Sequence, residues 1–262
     1  MDKRVALVTG GSSGIGRSLC LKLTGEGYEV FSASRSKSLP EDMAGITQIP
    51  VDFSSTDQTI NFAKDFMDQY GVPELLVNNA GYGAFYEWEK FPDSEITKQI
   101  DVLLSSPIRL CRIFAPAMQK KGRGLILNLS SLATLFPLPF MPMYNAAKSA
   151  LSSFTESMML EYQEFPKFID FRMGDVETEF NRSASTQAEL SGAGKSAWEK
   201  IEKQLENSIS PEQATDQILY RIRQNRGGTF FGGTWFHASF LPYIYRFFPA
   251  SLRIFFLRLW YR

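Results

Sequence analysis

The sequence predicts an α/β chain with a parallel sheet of about seven strands and helices on both faces, folded as one domain over residues 1–262. Short apolar runs alternate with helical-period segments from the first residues onward, which is the pattern of βαβ units. A length of 262 residues with 44% hydrophobic side chains is enough for a core that is stable without disulfides or metals.

The individual elements are placed by apolar runs and by the residues that flank them. Strands are predicted where 3 to 6 mostly apolar residues lie between Gly, Pro, Asn or Asp, at residues 5–9, 29–33, 47–51, 75–78, 124–129, 168–173 and 229–231. Helices are predicted at residues 15–24, 56–70, 94–118, 144–162 and 211–225.

Charge and composition exclude several classes of protein. The 28 basic residues equal the 28 acidic ones, which argues against a strongly basic nucleic-acid binder. Cys20 and Cys111 are far apart and His237 is the only histidine, so no metal site is predicted. The first residues run directly into a strand without the apolar core of a signal peptide, and we expect a cytoplasmic protein.

The segment after the first strand predicts a dinucleotide site. It reads Gly10-Gly11-Ser12-Ser13-Gly14-Ile15-Gly16 and leads into a helix. Glycines at 10, 14 and 16 allow a tight turn, a close approach of the backbone to a pyrophosphate, and close packing of the helix, whose N-terminal N–H groups bind phosphate. The hydroxyls of Ser12 and Ser13 can add donors.

The same residues also fit a different enzyme class. Gly-x-Ser-x-Gly is the nucleophile elbow of α/β-hydrolases, with Ser12 as nucleophile and His237 as base. That elbow lies deep in its sheet, whereas this segment follows the first strand, so the hydrolase is the weaker hypothesis. His237, among Trp235, Phe236 and Phe240, is expected in an apolar wall instead.

The end of the second strand predicts which dinucleotide is bound. An acidic residue there would accept the ribose 2′-hydroxyl of NAD, but Ser34 occupies that place and Arg35 follows it. Arginine binds a 2′-phosphate through charge-assisted hydrogen bonds. The sequence therefore predicts NADP(H).

Three side chains further along predict oxidoreductase chemistry. Tyr144 and Lys148 are four residues apart on a predicted helix and so share a face. A nearby ammonium stabilises a phenolate, so Lys148 is expected to lower the pKa of Tyr144. Ser131, at a strand end, can hold a carbonyl or alcohol oxygen while hydride passes to or from a nicotinamide.

Together these motifs resemble the short-chain dehydrogenase/reductase family, over nearly the whole chain. The resemblance rests on Thr9-Gly10-x-x-x-Gly14-Ile15-Gly16, Asp52, Asn78-Asn79-Ala80-Gly81, Ser131, and Tyr144 with Lys148. It implies a Rossmann-like doubly wound fold, with Tyr144 as acid/base, Ser131 polarising the substrate oxygen, and Lys148 holding the nicotinamide ribose. It also implies cofactor contacts from Gly10, Ser12, Ser13, Gly14, Ile15, Gly16, Asp52, Phe53, Asn79, Ala80, Gly81, Val176 and Thr178, and a homodimer or homotetramer through helices 94–118 and 144–162.

Two residues depart from that family pattern. Leu103 stands where the family usually has an asparagine that supports a water linked to the lysine, which puts the usual proton relay in doubt. Met173 replaces a common proline before Gly174 and is expected to alter the following hinge more than the chemistry.

The last third of the chain predicts two special segments. Residues 181–200 are small and polar and are expected to form a mobile loop or loosely held helix that acts as a lid. Residues 233–262 form an aromatic extension, and 13 of the 36 aromatic residues lie in the last 33 positions. The uncharged run 227–245 is interrupted by Gly232, Gly233 and Pro242, so no membrane span is predicted.

That extension has two interpretations. It is expected to form the wall of an apolar pocket and a subunit interface, or, in residues 251–262, an amphipathic segment that lies in a membrane interface. Either favours a small apolar or lipid-like carbonyl or alcohol substrate. The predicted function is an NADP(H)-dependent oxidoreductase for a ketone/secondary alcohol pair. The alternative is a catalytically weak NADP(H)-binding regulatory or scaffold protein of the same fold.

Overall fold

One parallel sheet organises the chain, and its strands run from residue 4 to residue 232. The computed structural model describes residues 4–178 and 190–261. The strands are β1 (Arg4–Thr9), β2 (Tyr28–Ser34), β3 (Thr47–Pro50), β4 (Leu75–Asn78), β5 (Leu125–Ser131), β6 (Lys167–Met173) and β7 (Gly228–Gly232). Their order is β3-β2-β1-β4-β5-β6-β7, and every neighbouring pair is parallel. The predicted doubly wound α/β fold is confirmed.

Helices connect the strands and cover both faces of the sheet. They are α1 (Gly14–Gly25), α2 (Thr56–Tyr70), α3 (Asp93–Ile100), α4 (Ser106–Lys121), α5 (Pro142–Glu161), α6 (Gly192–Leu205), α7 (Pro211–Gln224), α8 (Leu241–Phe247) and α9 (Ala250–Trp260). None of the helices in the described part of the chain has both the length and the apolar character needed to cross a bilayer.

The packing explains why the apolar runs became strands buried on both faces. Successive strand residues point to opposite faces, so Leu7 packs with α2 and α4 while Val8 packs with α1 and α7. The layer that packs on Leu7 contains Phe66 and Phe114, whose rings meet edge to face with centroids 5.9 Å apart. Burial on both sides therefore makes the sheet the centre of the core.

Two segments differ from the sequence-based expectation. The predicted helix 94–118 is divided into α3 and α4 by a π-helical segment, Asp101–Ser105. The second part of the predicted lid, from Gly192 onward, is a helix: the Ser191 hydroxyl accepts a hydrogen bond from the Gly194 N–H and so caps α6. Residues 181–189 of the predicted lid lie outside the described residues.

The sheet topology gathers the predicted motifs at one edge. Connections leave β1 and β4 toward opposite faces, which opens a crevice at the carboxyl ends of these two strands. β5 ends there at Ser131, opposite Met173 at the end of β6. The loops after β1, β4, β5 and β6 therefore meet around a single space.

Candidate active site

A cavity of about 920 Å³ lies at this carboxyl edge of the sheet. The predicted site residues that line it are Gly10, Ser12, Ser13, Gly14, Ile15, Arg35, Asp52, Phe53, Asn79, Ala80, Gly81, Ser131, Tyr144, Lys148, Val176 and Thr178. The exception is Gly16, which lies behind the cavity wall. The structure thus brings together residues that are up to 168 positions apart in the chain.

Backbone geometry makes the glycine-rich loop possible. Gly10 and Gly14 have φ of +67° and +52°, a conformation that side chains disfavour. A Cβ on Gly16 would lie 2.2 Å from the Gly10 carbonyl oxygen, so Gly16 allows α1 to pack against the loop. The Thr9 hydroxyl accepts from the backbone N–H of Asn79, at 3.0 Å, and thereby joins the loops after β1 and β4.

The N-terminus of α1 borders the cavity. Ser12, Ser13, Gly14 and Ile15 line it at the point where the helix begins. The first N–H groups of a helix have no intrahelical partner and carry the positive end of its dipole. These residues can therefore hold a pyrophosphate, which fits the dinucleotide predicted from the sequence.

The opposite end of the cavity carries a cation. Ser34 is buried, and its hydroxyl accepts a hydrogen bond from the Gln48 amide at 2.9 Å. Arg35 is exposed at the cavity wall. Hydrogen bonds from Ser54 lower the pKa of Asp52, and the charge of Arg35 lowers it further. The adenosine end of the cavity is thus bordered by a guanidinium where an NAD-binding chain would have an acid.

The first turns of α5 carry Tyr144 and Lys148. Pro142 begins this helix, which places both side chains on the face turned to β5, where they are 8% and 5% exposed. The Lys148 ammonium lies 6.0 Å from the centroid of the Tyr144 ring and donates to the Leu129 carbonyl oxygen at 2.6 Å. The Ser131 hydroxyl accepts from the Ala133 N–H at 3.1 Å and also hydrogen-bonds with Tyr144.

The electrostatics of this pair differ from the sequence-based expectation. Burial raises the pKa of Tyr144 to about 12, against the opposing effect of the hydrogen bond with Ser131. Burial also lowers the pKa of Lys148 to about 8, and the negative charge of Asp170 opposes that shift. The predicted lowering of the Tyr144 pKa is therefore wrong for the protein itself, because desolvation of the phenol outweighs stabilisation of its anion.

Below the lysine lies a buried polar network. Asp170, in the middle of β6, is fully buried and accepts hydrogen bonds from Ser130, from Ser152 at 2.6 Å, and from Arg172 Nε at 2.8 Å. Arg172 also donates to Glu156 at 2.6 Å. Sequence reasoning did not identify this network. The only sequence signal for the network was the pair Asp170 and Arg172, two residues apart in the otherwise apolar predicted strand 168–173.

Leu103 lies beside the lysine. It is fully buried in the π-helical segment and packs in the same apolar cluster as Tyr144. A Cβ on Gly81 would lie 3.0 Å from Leu103 Cδ2 and 3.9 Å from Lys148 Nζ. The residue that departs from the family pattern therefore lies within about 7 Å of the lysine ammonium and is apolar. Met173, the second departure from the family pattern, ends β6, where it pairs with Gly232 of β7.

Apolar side chains form much of the remaining cavity wall, beside the polar Glu95, Lys98, Asp175 and Gln204, and the sequence analysis missed most of them. They come from the turn after β5, from α6, from the π-helical segment Phe236–Phe240, and from α8, α9 and the residue after α9: Phe136, Leu138, Met141, Trp198, Ile201, Leu205, Phe236, Leu241, Leu257, Trp260 and Tyr261. In α6 the spacing of Trp198, Ile201 and Leu205 was a usable helical signal. The predicted location of the His237 side chain is not tested, because that side chain lies outside the described part of the structure.

No metal centre is assembled from the residues that the structure describes. Within residues 4–178 and 190–261, no group of three or more His, Cys, Asp or Glu side chains is placed to hold an ion. The two cysteines, Cys20 and Cys111, are buried and free.

Comparison with known proteins relates this arrangement to one family. Residues 4–189 match the family described as short chain dehydrogenase. A 3-ketodihydrosphingosine reductase of Bacteroides thetaiotaomicron is 28% identical over 223 residues, 81% of either chain. A very-long-chain 3-oxoacyl-CoA reductase of Danio rerio is 32% identical over 174 residues, and this match spans 60% of the present chain and about half, 53%, of the relative.

Solved structures share the fold. A short-chain dehydrogenase from Streptomyces avermitilis superposes with a TM-score of 0.78 over 89% of both chains at 23% identity. A short-chain dehydrogenase from Sphingobium yanoikuyae, solved in complex with NADPH, superposes with a TM-score of 0.73 over 87% of both chains at 18% identity. At these identities the similarity establishes the architecture and no finer property.

Proposed function

This chain belongs to the short-chain dehydrogenase family and is an oxidoreductase, and from that membership we propose that it transfers hydride between NADP(H) and an apolar ketone/secondary alcohol pair. The observation that carries the proposal is that Tyr144, Lys148 and Ser131 line the same cavity as the glycine-rich loop. The hydrolase hypothesis for Ser12 is withdrawn, since the family match assigns its loop to a dehydrogenase.

The proton chemistry follows from the state of Tyr144. A phenol with a pKa of about 12 is protonated at neutral pH and so can act as an acid. The hydroxyls of Tyr144 and Ser131 hydrogen-bond with each other in the cavity wall, so a substrate oxygen placed next to them could accept from each. When bound, the nicotinamide supplies the hydride to the carbonyl carbon. Tyr144 then gives its proton to the oxygen, and the C=O bond becomes C–OH. We propose reduction as the direction, because a protonated phenol can donate to a carbonyl oxygen.

Lys148 positions this reaction. One of its three N–H donors is held by the Leu129 carbonyl oxygen, which leaves two for a ribose hydroxyl and a water. As phenolate character develops on Tyr144, the ammonium 6.0 Å from the ring stabilises it electrostatically. Leu103 adds no polar group beside the lysine, so a water there would depend on Lys148 and backbone groups.

Arg35 supports NADP(H) over NAD(H). Replacing Arg35 with Ala is expected to raise the Kd for NADPH roughly 10- to 100-fold, the value of a charge-assisted contact to phosphate, and to leave the Kd for NADH unchanged. Lys37→Ala is the matched control, because Lys37 is an exposed cation two residues further on that does not line the cavity. Equal losses for both cofactors in Arg35→Ala would contradict the assignment.

The apolar wall supports a substrate with an alkyl chain. Trp198, Leu257 and Trp260 line the cavity on the side away from the glycine-rich loop, and Phe85 supports the Trp198 ring at 5.0 Å. Two of the relatives are named for a ketosphingoid base and for very-long-chain 3-oxoacyl thioesters, both of which carry such chains. A lipid-like ketone is the substrate class we propose.

NADPH oxidation with a series of methyl ketones of increasing chain length tests the function. We expect kcat/KM to rise with length, up to about fourfold per methylene buried. Tyr144→Phe should reduce kcat with every ketone by about 10²- to 10⁴-fold. A wild-type protein that binds NADPH tightly but oxidises it with no ketone or aldehyde would support the regulatory or scaffold alternative, which the apolar Leu103 favours.

The oligomeric state is the first of two further proposals. We infer a homodimer or homotetramer that pairs α4 and α5 with the same helices of a second copy, and the exposed Leu160 on α5 supports such a contact. Light scattering after gel filtration measures the mass directly.

The second proposal is a reducing cytoplasmic setting, which is supported by two free, buried cysteines. The localisation of a tagged full-length chain tests it.

A further inference from the structure

The end of the chain forms an exposed apolar surface. We define the C-terminal apolar surface as the exposed large side chains of the last 28 residues: Trp235, Phe236, Phe240, Tyr243, Ile244, Phe247, Leu252, Ile254, Phe255, Phe256, Leu259 and Trp260. Phe247 is 88% and Trp235 is 74% exposed. An exposed apolar surface of this extent marks a site of interaction.

The charges in this region all have one sign. Residues 227–262 contain no Asp or Glu, and their charged residues are four arginines, at positions 246, 253, 258 and 262. All 28 acidic residues of the chain precede them. Arg253 lies within the surface, with its guanidinium 4.8 Å from the centroid of the Tyr245 ring and its Nε donating to the Phe248 carbonyl oxygen. The natural complement of this surface is apolar and anionic.

A second cavity lies next to the active-site cavity at this surface. It has a volume of about 450 Å³ and lies between α8 and α9, with Ile244, Phe248 and Phe256 in its wall. Phe136, Leu241, Leu257 and Trp260 line both this cavity and the active-site cavity. The two cavities are therefore adjacent, and the side chains between them are apolar.

We propose that α8 and α9 lie in the interface of an anionic lipid bilayer and that a lipid-like ketone reaches the active site from the bilayer between these helices. Aromatic rings and arginines with aliphatic stems are the side chains that interfacial segments use, and anionic headgroups attract the arginines. The delivery step rests on the proposed function, whereas the binding step does not.

A second copy of the chain fits the surface less well. In a two-fold symmetric contact the same patch meets itself, so arginines of one copy would face arginines of the other. Such like-charge contacts oppose association, because no acidic residue is available in residues 227–262 to pair with them. Anionic lipid satisfies both the charge and the apolar area.

Vesicle flotation tests the binding step with the NADPH-loaded protein. We expect the protein to float with vesicles of phosphatidylcholine and phosphatidylglycerol, less with phosphatidylcholine alone, and less at high salt because screening weakens the headgroup attraction. The double variant Phe247→Glu/Phe255→Glu should reduce the bound fraction at least about tenfold. Tyr220→Glu introduces one of these two negative charges at an exposed tyrosine of α7 outside the surface and should bind as the wild type does.

Activity tests the delivery step separately. The double variant should lose NADPH oxidation with a long-chain ketone embedded in vesicles and keep it with a short water-soluble ketone. If the wild type floats but oxidises NADPH with neither ketone, the proposed function fails while membrane binding stands. A wild type that never floats, or a double variant that floats equally well, overturns the membrane proposal. So does loss of oligomer mass in the double variant without any vesicle binding by the wild type, which would assign the surface to a contact between copies.

Discussion

The Lys148 ammonium donates to the Leu129 carbonyl oxygen at 2.6 Å, two residues before Ser131 on the same strand. This contact joins the first turns of α5 to the end of β5, the two elements that carry Tyr144 and Ser131. The lysine that positions the reaction therefore also sets the distance between the helix and the strand. It does so as a buried cation, which costs stability.

Replacing Lys148 with Met is expected to abolish turnover and to increase the free energy of unfolding at pH 7. The folded pKa of about 8 lies below the ordinary value of 10.5, so the charged lysine destabilises the folded state, on the order of a few kcal/mol. The folded protein loses this proton first, so wild-type stability rises between about pH 8 and pH 10.5. In urea denaturation, the difference in the free energy of unfolding between Lys148→Met and the wild type should be smaller at pH 10 than at pH 7. A constant difference would contradict the buried charge.

Tyr144→Phe is expected to reduce kcat about 10²- to 10⁴-fold, because the variant lacks the acid that protonates the substrate oxygen. The Kd for NADPH, measured by fluorescence, should stay within about twofold, since the ring and its packing remain. Tyr162→Phe provides the comparison, because Tyr162 packs in the core cluster on the other side of α5 and does not line the cavity. Similar losses in both variants would show that the hydroxyl of Tyr144 has no special role.

Asp170→Asn is expected to lower the free energy of unfolding by about 3–5 kcal/mol. The variant leaves Arg172, whose side chain is only 8% exposed, without its buried carboxylate partner. Asp216→Asn removes an exposed carboxylate that pairs with Lys22 and should cost less than about 1 kcal/mol. Chemical denaturation of the two variants checks the contrast, and equal small losses would mean that Glu156 alone compensates Arg172.

Two glycines of α1 should respond in opposite ways to alanine. Gly16→Ala places a Cβ 2.2 Å from the Gly10 carbonyl oxygen, so we expect a loss of about 1–3 kcal/mol and at least a tenfold weaker binding of NADPH. Gly25→Ala, with no heavy atom within 4 Å of the added Cβ, should stabilise the protein by about 0.5–1 kcal/mol. Thermal melts and NADPH titrations measure both effects.

Much of the fold and part of the site followed from local patterns in the chain. Apolar runs between turn residues predicted all seven strands within a few residues, because a strand buried on both faces has to be apolar along its length. The glycine spacing at 10, 14 and 16 and the four-residue spacing of Tyr144 and Lys148 are likewise local. Each depends on backbone geometry over one or two turns, which neighbouring residues already specify.

Other features arose only when distant segments packed together. The pKa of Tyr144 depends on burial by Leu103, Met141 and other side chains of its cluster, which together outweigh the hydrogen bond with Ser131. The apolar wall depends on α6, α8 and α9, whose sequences showed their composition but not which face would meet the cavity. The desolvation of a side chain and the shape of a cavity depend on residues from the whole chain. Local periodicity in the sequence therefore does not predict them.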